Sequence, residues 1–369
     1  MDAARPDHRH EAAAPVTVLP ERVALFVTLG RPKFLFQSML VTGAGVAVAV
    51  HTGVRFGAGA YALTLGFAWC THLMTHYCNE YFDLEADRAN RTPTSWTGGS
   101  RILVRGLLPP VAGLGAAFVL LFTALVLIAV MPGTADRLVA VAITALAWFY
   151  TAPPLRLNYH ALGEVTCATV LYALGPVLAH RLQGGGMPPA LWACVGVLFA
   201  LQVLRCLIMN LSDIAGDQEV GKRTGAGALG RRGVAHVYGA GQVGVHLAIA
   251  AMTAAHVLPA AVGIALFVLL PVPGWVGRQL YGAAPKDQRR ADAVAFWASM
   301  HMPLTSCALM AGLTADGLLH HRPASTGWLA VQTVTIAVFT IWLWRTARVP
   351  KHDRPHTVPD TAAQDTATP

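Results

Sequence analysis

Ten long apolar segments separated by polar stretches dominate the chain. They span residues 34–50, 57–80, 109–131, 136–152, 162–180, 189–211, 234–256, 259–277, 293–314 and 326–344. Each segment is a continuous apolar run without strict alternation, which favours helices over the strands of a β-barrel. Several exceed the roughly 18 to 20 residues that a helix needs to cross a bilayer. The pattern predicts an all-α, polytopic membrane protein with nine to ten transmembrane helices.

Composition agrees with a lipid environment. Hydrophobic residues make up 54% of the 369 residues and charged residues only 12%. Soluble domains carry about twice that charged fraction. The lipid bilayer is therefore a predicted partner of most of the chain.

The basic residues alternate between the two sides of the predicted bundle. If the apolar segments cross the membrane in turn, 22 of the 27 Lys and Arg residues fall on the side of both termini and the even-numbered loops, four fall on the other side, and Arg205 lies within a helix. Such asymmetry marks the cytoplasmic side. We predict an integral protein of the inner or plasma membrane with both termini cytoplasmic. Topology explains the net charge of +8, so no nucleic-acid partner is predicted.

The two ends of the chain differ from its middle. Residues 1–24 are predicted to be a polar cytoplasmic segment, and residues 346–369 a disordered cytoplasmic tail. Between them, residues 25–316 form the predicted transmembrane domain, and residues 325–345 an additional transmembrane helix.

Two acidic motifs close the second and sixth apolar segments. Asn79, Asp83 and Asp87 are spaced i, i+4 and i+8, and on a continuous helix they share one face over about 12 Å. A second triplet, spaced i, i+3 and i+7, also shares a helical face, and it consists of Asn210, Asp213 and Asp217. Both motifs end on the predicted cytoplasmic side, so the two sets are expected to face each other across one cavity. Glu80 lies off the first face and is expected to be solvated.

Carboxylates at the end of an apolar helix need water, a counter-charge or a metal ion. Hard oxygen ligands suit Mg2+, which takes one or two protein carboxylates and completes its shell with water and substrate phosphate. The six side chains therefore predict a Mg2+-bound diphosphate. Basic residues that follow each motif are predicted to neutralise the remaining phosphate oxygens. They are Arg88 and Arg91 after the first motif, and Lys222 and Arg223 after the second.

A single acidic helix end near arginines is more often an ordinary solvated membrane boundary. Two motifs with the same Asn and Asp order, each followed by a basic residue and a threonine, are harder to explain in that way. The two motifs together therefore favour a ligand-binding site.

These residues resemble the UbiA superfamily of intramembrane prenyltransferases. The likeness rests on NxxxDxxxD after one helix and on NxxDxxxD with GKxT after a later one. It also includes RPKFL at 31–35, TGGSRILVRGLLP at 97–109 and FYTAPPLRLNYHALGE at 149–164. The segment at 97–109 is most similar to the 1,4-dihydroxy-2-naphthoate polyprenyltransferase branch. The family typically has nine helices, so the tenth apolar segment departs from it.

The resemblance implies a helix bundle around a central cavity with a lateral opening for lipidic substrates. It also implies Mg2+-assisted ionisation of a polyprenyl diphosphate and attack on the allylic cation by an aromatic acceptor, a quinone precursor or another phenol. Asp83, Asp87, Asp213 and Asp217 are the expected catalytic metal ligands, with Asn79 and Asn210 as further oxygen ligands. Lys222 is the strongest phosphate candidate because it matches the lysine of GKxT.

Other candidates are chosen by position. Tyr150 and Tyr159 lie in the fourth loop, where aromatic faces would stabilise an allylic cation. Arg205 is the one basic residue within a predicted helix, which indicates a contact with diphosphate or acceptor, or a structural ion pair. His72 and His76, one helical turn apart, either deprotonate or bind an acceptor, or form a hydrogen-bonded core pair.

Two alternative functions remain open at this stage. A UbiA-type terpene cyclase would keep both acidic motifs and close the cation on itself without an acceptor. A transporter with acidic cation sites belongs to another class. Transporter sites lie near mid-membrane, whereas both motifs here end at one membrane face, which disfavours the transporter.

Overall fold

The computed structural model describes residues 19–282, 288–322 and 324–348. The predicted polar segment at 1–24 and the predicted tail at 346–369 lie mostly outside these residues. Regular structure in the described ranges is helical and includes no multi-residue strand. The α-helices are α1 Leu19–Leu29, α2 Leu35–His51, α3 Ala58–Phe82, α4 Leu84–Ala89, α5 Pro110–Ala129, α6 Thr134–Phe149, α7 Gly163–Ala168, α8 Gly175–Leu182, α9 Pro189–Met209, α10 Ile214–Glu219, α11 Gly225–Ala254, α12 Ala260–Phe267, α13 Pro271–Tyr281, α14 Gln288–Leu319 and α15 Thr326–Arg348.

Each of the ten predicted apolar segments is helical, so the prediction of an all-α polytopic bundle is confirmed. Two of the segments are interrupted: α7 and α8 are joined by a π-helical turn at Thr169–Leu174, and α12 and α13 by the short stretch 268–270. In the described part of the chain, eight spans are long and apolar enough to cross a membrane.

Two predicted spans fall outside those eight for identifiable reasons. Helix α6 has only 16 residues. Helix α3 has 25 residues, but it carries polar side chains, among them His72, His76 and Asn79, which lower its hydropathy. A third difference concerns α11, which begins at Gly225, nine residues before the predicted segment. It contains a kink at Gly230 (φ 64°, ψ 170°) in a stretch rich in glycine and arginine.

Two helices form the centre of the bundle. The spans that contain α2 and α9 are each 72% buried, whereas those of α5, α11 and α15 are 22% buried. Helix α2 contacts α3, α8, α14 and α15, and α9 contacts α7, α11 and α14. The poorly buried helices present apolar side chains such as Phe122, Leu247 and Ile341 outwards, as expected of a lipid-facing surface.

Both acidic motifs are interrupted by a break in the helix, so the expectation of one continuous helical face was wrong. Asp83 (φ −96°, ψ 7°) separates α3 from α4, and a 3-10 turn at Asn210–Ser212 followed by Asp213 separates α9 from α10. The backbone N–H of Asp87 still donates to the carbonyl of Asp83, and that of Asp217 to Asp213, each at 2.8 Å. Because α4 contacts α10, the two breaks lie beside each other.

Candidate functional site

A cavity of about 250 Å³ runs into the bundle from the two helix breaks. Its walls come from α2, α3, α6, α9 and the segment between Thr166 and Leu178. The carboxylates of both motifs lie at one end. Other parts of its wall are apolar, with side chains that include Val41, Phe67, Ile143 and Leu178. The cavity therefore combines a charged end with room for an apolar group.

Asp83 is the most heavily contacted carboxylate of the first motif. It is 4% exposed, and it accepts hydrogen bonds from Nδ2 of Asn158 at 3.0 and 3.3 Å. Nζ of Lys222 lies 3.0 Å from Oδ2 of Asp83. Both partners come from later parts of the chain than the motif itself.

The second motif receives a hydrogen bond from a residue that follows the first motif. Oδ1 of Asp213 accepts from Nδ2 of Asn90 at 2.7 Å and from the Ser212 hydroxyl at 2.9 Å. Asn90 follows the first motif, just as Lys222 follows the second and binds Asp83. Each half of the site thus supplies a donor to the acidic motif of the other half.

Lys222 bridges the two motifs. Its Nζ lies 3.0 Å from Asp83 and 3.3 Å from Oδ1 of Asp217. Burial alone would lower the pKa of Lys222, but Asp83 and Asp217 outweigh burial, so the pKa is raised above its ordinary value. The lysine is therefore charged wherever these carboxylates are ionised.

The other three carboxylates of the two motifs have raised pKa values. Burial, together with neighbouring carboxylates and despite Arg31, raises the pKa of Asp87 to about 8. Burial also raises the pKa of Asp217 to about 6, against the influence of Lys222, and it raises the pKa of Asp213. Additional positive charge between these groups would favour their ionised forms.

A glycine-containing loop lies against the first motif. Thr97, Gly98 and Gly99 line the cavity. Gly99 has φ +76°, and a Cβ placed there would overlap Oδ2 of Asp87. Nη1 of Arg101 donates to the backbone carbonyl of Asp87. The loop backbone thus fixes where the Asp87 carboxylate can lie.

Glu80 anchors this loop to the start of the bundle. Arg31 donates to Oε1 of Glu80 through Nε at 2.7 Å and also through Nη2. The backbone N–H and hydroxyl of Ser100 donate to the same carboxylate, each at 2.7 Å. Glu80 is 2% exposed, so the expectation that it is solvated was wrong. Its charge is satisfied by Arg31, a residue 49 positions earlier that helical periodicity alone does not place beside it.

A second polar cluster lies around the guanidinium of Arg205, which also lines the cavity. Arg205 is 8% exposed, and its Nη2 donates to the Ser299 hydroxyl at 2.9 Å. Gln37 also donates to Ser299, at 3.2 Å, and accepts from the Tyr172 hydroxyl at 3.3 Å. In the described residues, no carboxylate pairs with Arg205, and its buried Nε has no hydrogen-bond partner. The alternative of a structural ion pair therefore finds no support.

The two candidate histidines line the same cavity. The rings of His72 and His76 stack with centroids 4.8 Å apart, and Nδ1 of His72 lies 3.0 Å from the Ser38 hydroxyl. His76 also stacks on Phe34 at 5.5 Å. The pair thus combines a hydrogen bond to the core with access to the cavity.

The cavity brings together eleven of the fifteen residues singled out by the sequence. They are Asn79, Asp83, Asp87, Asn210, Asp213, Asp217, Lys222, Arg205, Tyr150, His72 and His76. Asn210 additionally donates to Oε1 of Glu164 at 3.0 Å.

Four of the fifteen residues do not line the cavity. Arg88, Arg91 and Arg223 are exposed to solvent, so their phosphate contacts stay predictions. Tyr159 is buried beside Lys222, whose Nζ lies 5.4 Å from its ring centroid, and the Arg156 guanidinium lies 3.7 Å from the same centroid.

The main contributors missed by the sequence reasoning are amides and loop residues. Asn90 and Asn158 donate to Asp213 and Asp83 but belong to neither motif. Both lie in the predicted cytoplasmic loops, which is the one signal that could have indicated them. Trp96 also lines the cavity and lies next to the TGGSR segment.

The oxygen ligands of the site suit a divalent cation whose coordination shell is completed by water or substrate. In the described residues, no three His, Cys, Asp or Glu side chains form a ready metal-binding group. The carboxylates instead face one cavity from two sides, an arrangement suited to an ion with few protein ligands and several water or phosphate ligands. Fold and site together define an integral membrane protein with an intramembrane cavity that opens at an acidic cluster.

Comparison with known families assigns this class. The UbiA prenyltransferase family matches residues 38–300, and the chain belongs to this family. It is therefore a membrane prenyltransferase. The finer likeness to the naphthoate branch stays a prediction, and no curated protein sequence matches the chain.

Solved structures share the fold at low sequence identity. A digeranylgeranylglyceryl phosphate synthase is 14% identical with a TM-score of 0.56, and the match covers 80% of this chain and 99% of that chain. A UbiA homologue from Aeropyrum pernix K1, in its apo form, is 17% identical with a TM-score of 0.57 and coverages of 76% and 97%. A homologue from Archaeoglobus fulgidus bound to GPP and Mg2+ is 13% identical with a TM-score of 0.54 and coverages of 77% and 99%.

Gly99→Ala tests whether the loop sets the position of Asp87. The new methyl group would overlap the carboxylate, and misplacement of a catalytic group by about 1 Å costs about 10²-fold in rate. We expect a loss of that order in the kcat/KM of prenyl transfer, measured with purified protein in detergent.

Gly106→Ala is the matched control. Gly106 also has a positive φ, +67°, but a Cβ placed at this position would have no neighbouring atom within 4 Å. Both variants carry the same backbone strain, and only Gly99→Ala displaces Asp87. Equal activities of the two variants would contradict the positioning role of the loop.

Proposed function

We propose that this prenyltransferase moves the prenyl group of a polyprenyl diphosphate to an aromatic acceptor inside the membrane, with Mg2+ as cofactor. The observation that supports this most directly is the convergence of both acidic motifs and Lys222 on one end of the cavity. The homologue from Archaeoglobus fulgidus, whose structure contains GPP and Mg2+, agrees with such a site.

The proposed Mg2+ ligands are Asp83, Asp87, Asp213 and Asp217, with Asn79 and Asn210 as additional oxygen ligands. Mg2+ would supply the positive charge that makes diphosphate a good leaving group. Lys222 adds a fixed cation beside Asp83 and Asp217, where it can contact the diphosphate as the bond from carbon to oxygen breaks. The prenyl chain would extend along the apolar wall of the cavity.

The acceptor would bind at the polar cluster around Arg205. Arg205 is a buried cation without a carboxylate partner in the described residues, so it is suited to an acid group on the acceptor. Tyr150 would offer an aromatic face to the allylic cation, and either His72 or His76 would take the proton released when the acceptor forms its new bond. A terpene cyclase needs no site for an acid group on an acceptor, so transfer is preferred over cyclisation.

The sidedness of the site follows from the charge distribution. We propose that both termini and the acidic end of the cavity face the cytoplasm in the inner or plasma membrane, since 22 of the 27 basic residues fall on that side. Residues 25–316 would form the catalytic domain, with residues 325–345 as an added helix.

Product analysis tests transfer against cyclisation. Full-length protein in detergent receives Mg2+, a labelled polyprenyl diphosphate and aromatic acceptors with or without a carboxylate. Transfer predicts that pyrophosphate appears only when an acceptor is present. A hydrocarbon product without acceptor would establish cyclisation instead, and failure to turn over any polyprenyl donor would overturn the proposal.

Arg205→Met tests the acceptor site within the same assay. Hydrogen bonds to charged groups contribute about 1.5–3 kcal/mol, so the KM of a carboxylated acceptor should rise by about 10- to 100-fold. The KM of a neutral phenol should change little. An equal rise for both acceptors would show that Arg205 serves the fold and not the acid group.

A further inference from the structure

The loop at residues 94–99, here called the Trp96 loop, is held from several sides. Its Ser95 carbonyl accepts from Nζ of Lys33, and the Ser95 N–H donates to Oδ1 of Asp292 in α14 at 2.8 Å. The Thr97 hydroxyl lies 2.6 Å from the hydroxyl of Ser212. The beginning of the bundle, α14 and the second acidic motif therefore all hold this loop.

The inner side of the Trp96 loop faces the acidic end of the cavity. Trp96, Thr97, Gly98 and Gly99 all line it. Ser212, which contacts Thr97, also donates to Asp213, and Gly99 lies against Asp87. A shift of the loop would therefore disturb both acidic motifs at once.

The Trp96 side chain of this loop also packs on aromatic rings of α14 and α15. The Trp96 ring meets Trp342 of α15 in an edge-to-face contact with centroids 6.5 Å apart, and it lies 5.3 Å from Phe296 of α14. Trp342 is held in turn by Phe36, at 4.9 Å, and by Phe339, at 6.1 Å. These separations fall in the range of favourable aromatic pairs.

Helix α15 lies outside the part of the chain that the family match covers, which ends at residue 300. One support of the Trp96 loop therefore comes from a helix beyond the matched region. The C-terminal part of α15 carries Trp342 beside the loop. Its N-terminal end carries Trp328, which is 1% exposed and packs on Phe56 at 5.6 Å.

We propose that α15 holds the Trp96 loop over the acidic site, and that Trp342 is a positioning residue for Mg2+ and diphosphate binding. This inference rests on the proposed function, because it assigns Mg2+ and diphosphate to that site. It gives the added helix a role in substrate binding that does not require α15 to contact the substrate.

Trp342→Ala is the first test. Loss of an aromatic pair corresponds to a change of about 3- to 10-fold in affinity. The donor KM and the half-saturating Mg2+ concentration should each rise by that factor, with kcat changed less. Trp342→Phe should restore both values, since a phenyl ring can still pack on Trp96.

Trp328→Ala is the matched control, because it removes an equally large ring from the same helix away from the loop. It should lower thermal stability without raising the donor KM. If both alanine variants raise the KM alike, or if Trp342→Ala raises it not at all, the positioning role is refuted.

Hydrogen exchange of the full-length protein separates this inference from the proposed function. The backbone amides of residues 94–99 should exchange faster in Trp342→Ala than in Trp328→Ala, even without substrate. Unchanged exchange in both variants would overturn the loop contact. Faster exchange in an enzyme that shows no Mg2+-dependent turnover would leave the contact intact and overturn the proposed function.

Discussion

Asp83→Asn should lower the kcat/KM of prenyl transfer by about 10³-fold. The substitution keeps the size of the side chain but removes one charge from the proposed Mg2+ site, and it leaves Lys222 with only Asp217 as a carboxylate partner. Metal-assisted charge neutralisation contributes several kcal/mol, and each 1.36 kcal/mol is tenfold in rate. The assay follows labelled pyrophosphate release at saturating Mg2+.

Asp213→Asn is expected to cause a loss of the same order, because the two carboxylates occupy equivalent places after their helix breaks. Glu85→Gln is the control, since Glu85 lies on α4 beside the first motif but is exposed to solvent. It removes the same charge without touching the cavity and should leave the rate unchanged. Full activity in either aspartate variant, with a normal unfolding temperature, would refute the metal-site assignment.

The helices could be predicted from the sequence because a bilayer leaves few alternatives. A backbone in lipid must satisfy its own hydrogen bonds, so a long apolar run is a helix. The prediction that the two acidic motifs lie on continuous helices was wrong. Asp83 and Asp213 lie where α3 and α9 end, and their carboxylates bind Lys222, Asn158 and Asn90 from other parts of the chain.

The candidate site could be predicted only where its residues follow a local pattern. The spacing of Asn79, Asp83 and Asp87 is visible within nine residues, and the repeat 130 positions later adds weight. Contacts such as Asn158 with Asp83, or Arg31 with Glu80, join residues 75 and 49 positions apart. Nothing in local periodicity encodes such pairs, because loop conformation and helix packing decide them.

Each acidic motif accepts a hydrogen bond or ion pair from the other half of the chain, so neither half could form the site alone. Asn90 from the first half binds Asp213, and Lys222 from the second half binds Asp83. Each carboxylate thus depends on a donor from the other side of the cavity. A change in the spacing between α4 and α10 would weaken both sets of contacts together.

Lys222→Met should move metal binding and catalysis in opposite directions. Removal of Nζ leaves Asp83 and Asp217 without their shared cation, so Mg2+ should bind the donor-free protein more tightly. Turnover should nevertheless fall by about 10²-fold, because a fixed charge that stabilises the leaving diphosphate is lost. Calorimetric titration with Mg2+ measures the first effect, and pyrophosphate release measures the second.

Arg223→Met is the control that separates the effect of the position of Lys222 from the effect of its charge. Arg223 is adjacent in sequence and carries the same charge, but it is exposed and does not line the cavity. If the net charge near the acidic end of the cavity governs donor binding, both variants should lose activity alike. If the position of Nζ between Asp83 and Asp217 governs it, Arg223→Met should keep both Mg2+ affinity and turnover. Weaker Mg2+ binding in Lys222→Met would contradict the view that lysine and metal compete for the same carboxylates.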